Sequence, residues 1–191
     1  MKTSLFKKVV LLLSIISLVT FFLVQLLQTH TDPVFTKYSD YIFSDYGYLV
    51  SITLLSMSLA QLIITSLISK RYRLLSMIFL VSTIGAFIGT FFPTTVIKDL
   101  NPQRIIHTTG AATSFLFLPL GFYLLSKEKT NQDTSKLFSS LSLISITIFF
   151  IMFIYVIAGL DNKISYFGLI EKTNMLILQF LILAWSLQKE I

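Results

Sequence analysis

The chain is predicted to be all-α, a polytopic integral membrane protein folded as one six-transmembrane-helix bundle. Three observations carry that expectation. Six segments are each long and apolar enough to cross a bilayer, and a run of roughly 18 or more such residues has few other fates. Across 191 residues the hydrophobic share is 54%, and the mean hydropathy of +0.81 lies far above that of a soluble domain this size. The lysines and arginines fall between the segments with a clear bias to one side, as the orientation rule for membrane helices demands.

The expected spans are 9–28, 47–69, 74–92, 105–126, 137–158 and 171–188, a single membrane domain with no length left for a second folded unit. At 1.5 Å per residue they reach roughly 27–34 Å, enough for a hydrocarbon core with modest tilt. Lys2, Lys7 and Lys8 precede the first run in the manner of a signal peptide. That run is longer than a usual signal core, however, and Gln28-Thr29-His30-Thr31 offers no small-x-small cleavage site, so it reads as an uncleaved span. Ser44 or Asp45 can cap the second span. The basic turn Lys70-Arg71-Tyr72-Arg73 leads into the third, which Pro93 stops because proline cannot continue the hydrogen-bond ladder. Asn101-Pro102 restarts the chain, with Asn as N-cap and Pro as first helical residue. A polar loop from Lys127 to Lys136 precedes the fifth span, and Glu171-Lys172 opens the sixth.

Ten lysines and arginines lie on the side that holds both termini and five on the other, which puts the termini in the cytoplasm of a cell membrane. Tyr38, Tyr41, Tyr46, Tyr48, Tyr155 and Tyr166 gather at the outer boundary, where an interfacial belt is expected. The net charge of +6 is thereby a property of the inner face, and no nucleic-acid partner is implied. Cysteine is absent, which removes disulfides, thiol redox chemistry and thiolate metal sites. His30 and His107 both fall at the outer edge, where histidine is ordinarily interfacial, so neither a cofactor nor a metal is expected.

In lipid, small and weakly polar residues mark helix contacts. Ser82, Gly85, Ala86 and Gly89 share one face of the third span, and His107, Gly110, Ala111 and Ser114 one face of the fourth; both faces should meet partner helices closely, each other included. Ser51, Ser58, Gln61 and Thr65 form a stripe on the second span that should face protein.

The midplane lacks ionisable residues, and Gln61 and Gln179 are its most polar members. Ionisable groups cluster at the outer ends instead: Asp45 before the second span, Arg104 and His107 in the fourth, Glu171, Lys172 and Asn174 in the sixth. One reading makes the acids ordinary first-turn residues and the cations snorkelling anchors. The other joins them into an outward-facing polar pocket. There His107 and Glu171 are the candidate catalytic pair, able to move protons, while Asp45, Arg104, Lys172 and Asn174 bind. Helix N-termini and the basic groups would favour an anionic head group.

Gly89-Thr90-Phe91-Phe92-Pro93-Thr94, followed by Ile106-His107-Thr108-Thr109-Gly110-Ala111, resembles the pattern of an uncharacterised six-span bacterial and archaeal family, domain of unknown function 998. Ser44-Asp45-Tyr46-Gly47 resembles its approach to span two, and Phe167-Gly168-Leu169-Ile170-Glu171-Lys172 its approach to span six. Thr95 stands where an Asp often follows, and Lys172 replaces an Arg, keeping the charge but losing the bidentate fork. The resemblance implies no activity; it implies that the polar outer-edge positions belong together. The expected function is binding or modification of a membrane lipid or other amphiphile with an anionic head group. The alternatives are an accessory or structural subunit held to a membrane protein partner, and a small-molecule transporter. Whether the protein is an enzyme stays open.

Overall fold

A bilayer core holds no water to take up backbone N–H and C=O groups, so an apolar run there must close its hydrogen bonds on itself. Each of the six predicted runs does so. The computed structural model describes residues 2–28, 34, 36–69, 71–93, 102–128, 132–158 and 166–188. Its long helices are α1 (Lys2–Leu27), α2 (Gly47–Ser69), α3 (Arg73–Phe91), α4 (Pro102–Lys127), α5 (Gln132–Ile157) and α6 (Phe167–Ser186). All six are long and apolar enough to span a membrane, and the described residues contain no strand. Asn101, expected as a cap, lies outside the described residues, as do His30, Lys70, Thr95 and Lys98.

One boundary differs usefully from expectation. Helix α6 begins at Phe167 rather than Glu171, so Glu171 sits a full turn inside the helix instead of opening it. Helix α4 begins at Pro102, the expected first helical residue, and continues through Pro119, a buried proline that removes one rung of its ladder.

Successive helices pack side by side, and α6 closes the ring onto α1 while also touching α2 and α4. A 3-10 helix, Tyr38–Phe43, fills the α1–α2 connector. It overturns part of the expected tyrosine belt: Tyr38 and Tyr41 are buried in the bundle, whereas Tyr48 and Tyr166 are exposed. Tyr38 stacks on Phe21 of α1 at 4.8 Å and gives its hydroxyl to Thr53 of α2 at 2.8 Å, contacts that an interfacial ring does not make.

The α3–α4 seam brings two helix backbones into close approach. A Cβ on Gly85 would lie 2.7 Å from the Gly110 carbonyl oxygen and 2.9 Å from the Ser114 nitrogen, so only glycine permits this spacing. The small-residue faces predicted on these two helices therefore meet each other. Below the seam, the Phe79 ring packs edge-on against Phe122, which stacks on Phe138 of α5. The polar stripe of α2 is turned inward at Ser58, Gln61 and Thr65, while Ser51 is half-buried. Gln61 accepts from Ser82 at 2.9 Å, and Thr65 pairs with Thr83 at 3.2 Å, tying α2 to α3.

Gly85→Ala should lower the melting temperature in detergent by an amount equivalent to about 1–3 kcal/mol, because backbone must move to admit the methyl group. Gly89→Ala, whose added Cβ meets Ala111 at an ordinary 3.7 Å, should leave it nearly unchanged. Thermal unfolding followed by circular dichroism separates the two.

Candidate functional site

The connector between α1 and α2 is clamped to the first turns of α6. The Leu169 N–H donates to the Val34 carbonyl at 2.9 Å, the Ser39 N–H reaches Glu171 Oε1 at 3.4 Å, and Lys172 Nζ donates to the Tyr41 hydroxyl at 2.9 Å. Lys37 adds its ammonium over the Phe167 ring at 4.9 Å. On the α2 side the anchor is Thr53, whose Oγ1 meets Tyr38 and, at 2.7 Å, Thr20 of α1. Burial pushes the Tyr38 hydroxyl above the ordinary tyrosine range, an effect its bond to Thr53 only partly offsets, so it stays protonated and donating.

Beneath this connector lies a chamber of about 60 Å³, walled by α2, α3, α4 and α6 and roofed by Tyr38 and Ser39. Its polar lining comprises Ser58 and Gln61 from α2, Thr90 from α3, His107 and Ser114 from α4, and Glu171 from α6. Leu54, Met57, Phe115 and Met175 supply much of the apolar remainder. Glu171 is 8% exposed and His107 7%. Lys37, Asp40 and Lys172 are the charges that act on Glu171, and the first two also act on His107, so the connector sets the field at the mouth.

His107 is held by the end of α3. Its Nδ1 lies 2.8 Å from the Phe92 carbonyl and 3.1 Å from that of Gly89, oxygens left over where the helix stops. Carbonyls only accept, so Nδ1 must carry a proton, and in the neutral ring Nε2 keeps its lone pair. One imidazole thereby caps α3 and offers a base at its other nitrogen. A carboxyl group and an oriented imidazole on one small chamber are sufficient for proton transfer to or from a guest. Among the described residues, no three His, Cys, Asp or Glu side chains group to hold a metal ion.

The six residues singled out from sequence divide sharply. His107 and Glu171 line the same chamber. Asp45 is exposed just before α2, and Arg104 is half-buried near the start of α4; neither lines it. Lys172 is buried but turned to Tyr41, and Asn174 Oδ1 accepts from Ser145 of α5 at 2.6 Å, on the seam away from the chamber. Sequence reasoning missed Tyr38 and Ser39, and gave Gln61, Ser58, Thr90 and Ser114 no place in the site. The signal available was convergence: the three small or polar faces read as packing surfaces also form three of the four walls.

The model of the family described as "Protein of unknown function (DUF998)" matches residues 11–188. No curated protein and no solved structure matches the chain.

Thr53→Val should strand the buried Tyr38 hydroxyl and cost about 1–3 kcal/mol, read as a lower melting temperature. Adding Tyr38→Phe to that variant should recover part of the loss. Nitrogen-15 spectra of histidine-labelled protein at alkaline pH should show His107 as the Nδ1-protonated tautomer; an Nε2–H signal would contradict the capping geometry.

Proposed function

The chain belongs to the DUF998 family, a membrane family of unknown function, and for it we propose binding or modification of an amphiphile whose polar head enters the chamber beneath the 3-10 helix. The observation that carries this is the pairing of two buried ionisable residues, Glu171 and His107, with a buried polar wall on one chamber. A second feature supports it. On the lipid-facing side of the same seam, an apolar groove of about 380 Å³ runs past Ile84, Ile88, Ile105 and Ile106, and Gly85 lines both spaces. A hydrocarbon tail suits that groove from the bilayer side, with the Gly85–Gly110 backbone contact standing between it and the chamber. The lysine and arginine asymmetry supports a cell-membrane orientation with the connector outside and both termini in the cytoplasm.

In this scheme His107 Nε2 is the acceptor or general base, and Glu171 is the second proton-handling group. Ser39 holds the Glu171 carboxyl at the roof. Lys172 steadies the roof through Tyr41.

The test is a mass-spectrometric inventory of lipids co-purifying with the wild type, His107→Ala and Glu171→Gln. One amphiphile should be enriched on the wild type and reduced roughly tenfold or more on each variant, with unchanged gel-filtration profile and helical content. Equal recovery on all three would overturn the proposal. A stoichiometric protein partner in place of lipid would favour the accessory-subunit alternative.

A further inference from the structure

The chamber's own hydrogen-bonding inventory narrows the head group. Resting on the amphiphile reading above, we propose that the group it takes is uncharged and hydroxyl-bearing, a polyol of about glycerol's size whose innermost hydroxyl pairs with Gln61.

Gln61 is fully buried on the chamber wall, its Oε1 is taken by Ser82, and its Nε2 has no partner. A buried amide left half-satisfied is costly, and a guest that completes it recovers that cost. A hydroxyl both donates and accepts, so it pairs with this amide whichever of its two ends faces inward. Nearer the roof the requirement reverses. His107 Nε2 accepts, so the guest donates to it, while the Glu171 carboxyl accepts when ionised and donates when protonated, and a hydroxyl can meet either form.

Charge excludes the obvious rivals. Among the described residues no lysine or arginine lines the chamber, and the ammonium of Lys172 donates to Tyr41. A phosphate or carboxylate here would face Glu171 with no cation on the wall. An ammonium would suit Glu171 but has no lone pair for the Gln61 N–H. Size agrees as well: 60 Å³ corresponds to about four to six water-sized groups. Met57, Phe115 and Met175 give the carbon chain of such a guest apolar contact.

Binding of three amphiphiles with the same acyl chain to the purified protein in detergent, measured by native mass spectrometry, tests this. A monoacylglycerol should bind at least about tenfold tighter than a lysophosphatidic acid or an alkylammonium. Gln61→Leu, which also removes the acceptor of Ser82, should cost the monoacylglycerol a similar factor in binding while the protein keeps its helical content. The head-group ranking is read on the unmodified protein, so it holds even if that variant folds poorly. Tighter binding of either charged amphiphile, or undiminished monoacylglycerol binding to Gln61→Leu, overturns the inference. If lysophosphatidic acid is preferred and His107→Ala abolishes its binding, the amphiphile reading survives while the polyol assignment falls. If none of the three binds, both fall.

Discussion

Where Gly85 meets Gly110, two helix backbones lie closer than any side chain between them would permit, and much of the site follows from that distance. It brings the start of α4 beside the end of α3, so that His107 reaches the carbonyls of Gly89 and Phe92. It also sets Ser82 where it can contact both Gln61 of α2 and, at 3.5 Å, the Ser114 carbonyl of α4. With a bulky residue at the seam, α4 would stand off from α3 and the chamber would lose its wall. In lipid, where apolar side chains gain nothing by leaving their solvent for one another, close backbone packing of this sort is what holds helices together.

The second organising constraint is the cost of a stray polar group. Most hydroxyls inside the bundle avoid it locally. Ser14, Thr20, Thr65, Thr83 and Thr90 each donate to a carbonyl four residues back in their own helix, satisfying themselves without a partner. Amides cannot do this, because each carries donors and an acceptor at once. Gln61, Asn174 and Gln179 are accordingly the side-chain amides in α2 and α6 with one end unpartnered. Asn174 and Gln179 sit in closed seams, bonded to Ser145 and Ser17. Gln61 is equally buried but lies on the wall of the chamber rather than in a helix seam alone.

The connector gives these walls a roof. Tyr38 and Tyr41 carry it, one anchored to Thr53 and the other to Lys172, so a loop between two spans is fastened to α2 and α6 together. The same segment brings Lys37 and Asp40 to act on both His107 and Glu171. Catalytic and recognition chemistry gain when a site is closed to water in this way, because each polar contact inside is then stronger.

Sequence alone determined the class, the number of spans, the small-residue faces and the prominence of His107 and Glu171. These depend on local quantities: run length, mean polarity, i to i+4 spacing and the rarity of ionisable residues near apolar segments. The same local reading grouped Asp45, Arg104, Lys172 and Asn174 with them, since all lie at the same height along the bundle. Height is a property of the chain's threading, whereas facing is a property of helix rotation, and rotation is set by which neighbours a helix meets. Only the tertiary structure turned Lys172 to Tyr41 and Asn174 to Ser145, folded Tyr38 and Ser39 over the gap, and left one amide of α2 looking into it. Those outcomes rest on contacts between residues up to 132 positions apart, as between Ser39 and Glu171, which no window along the chain can contain.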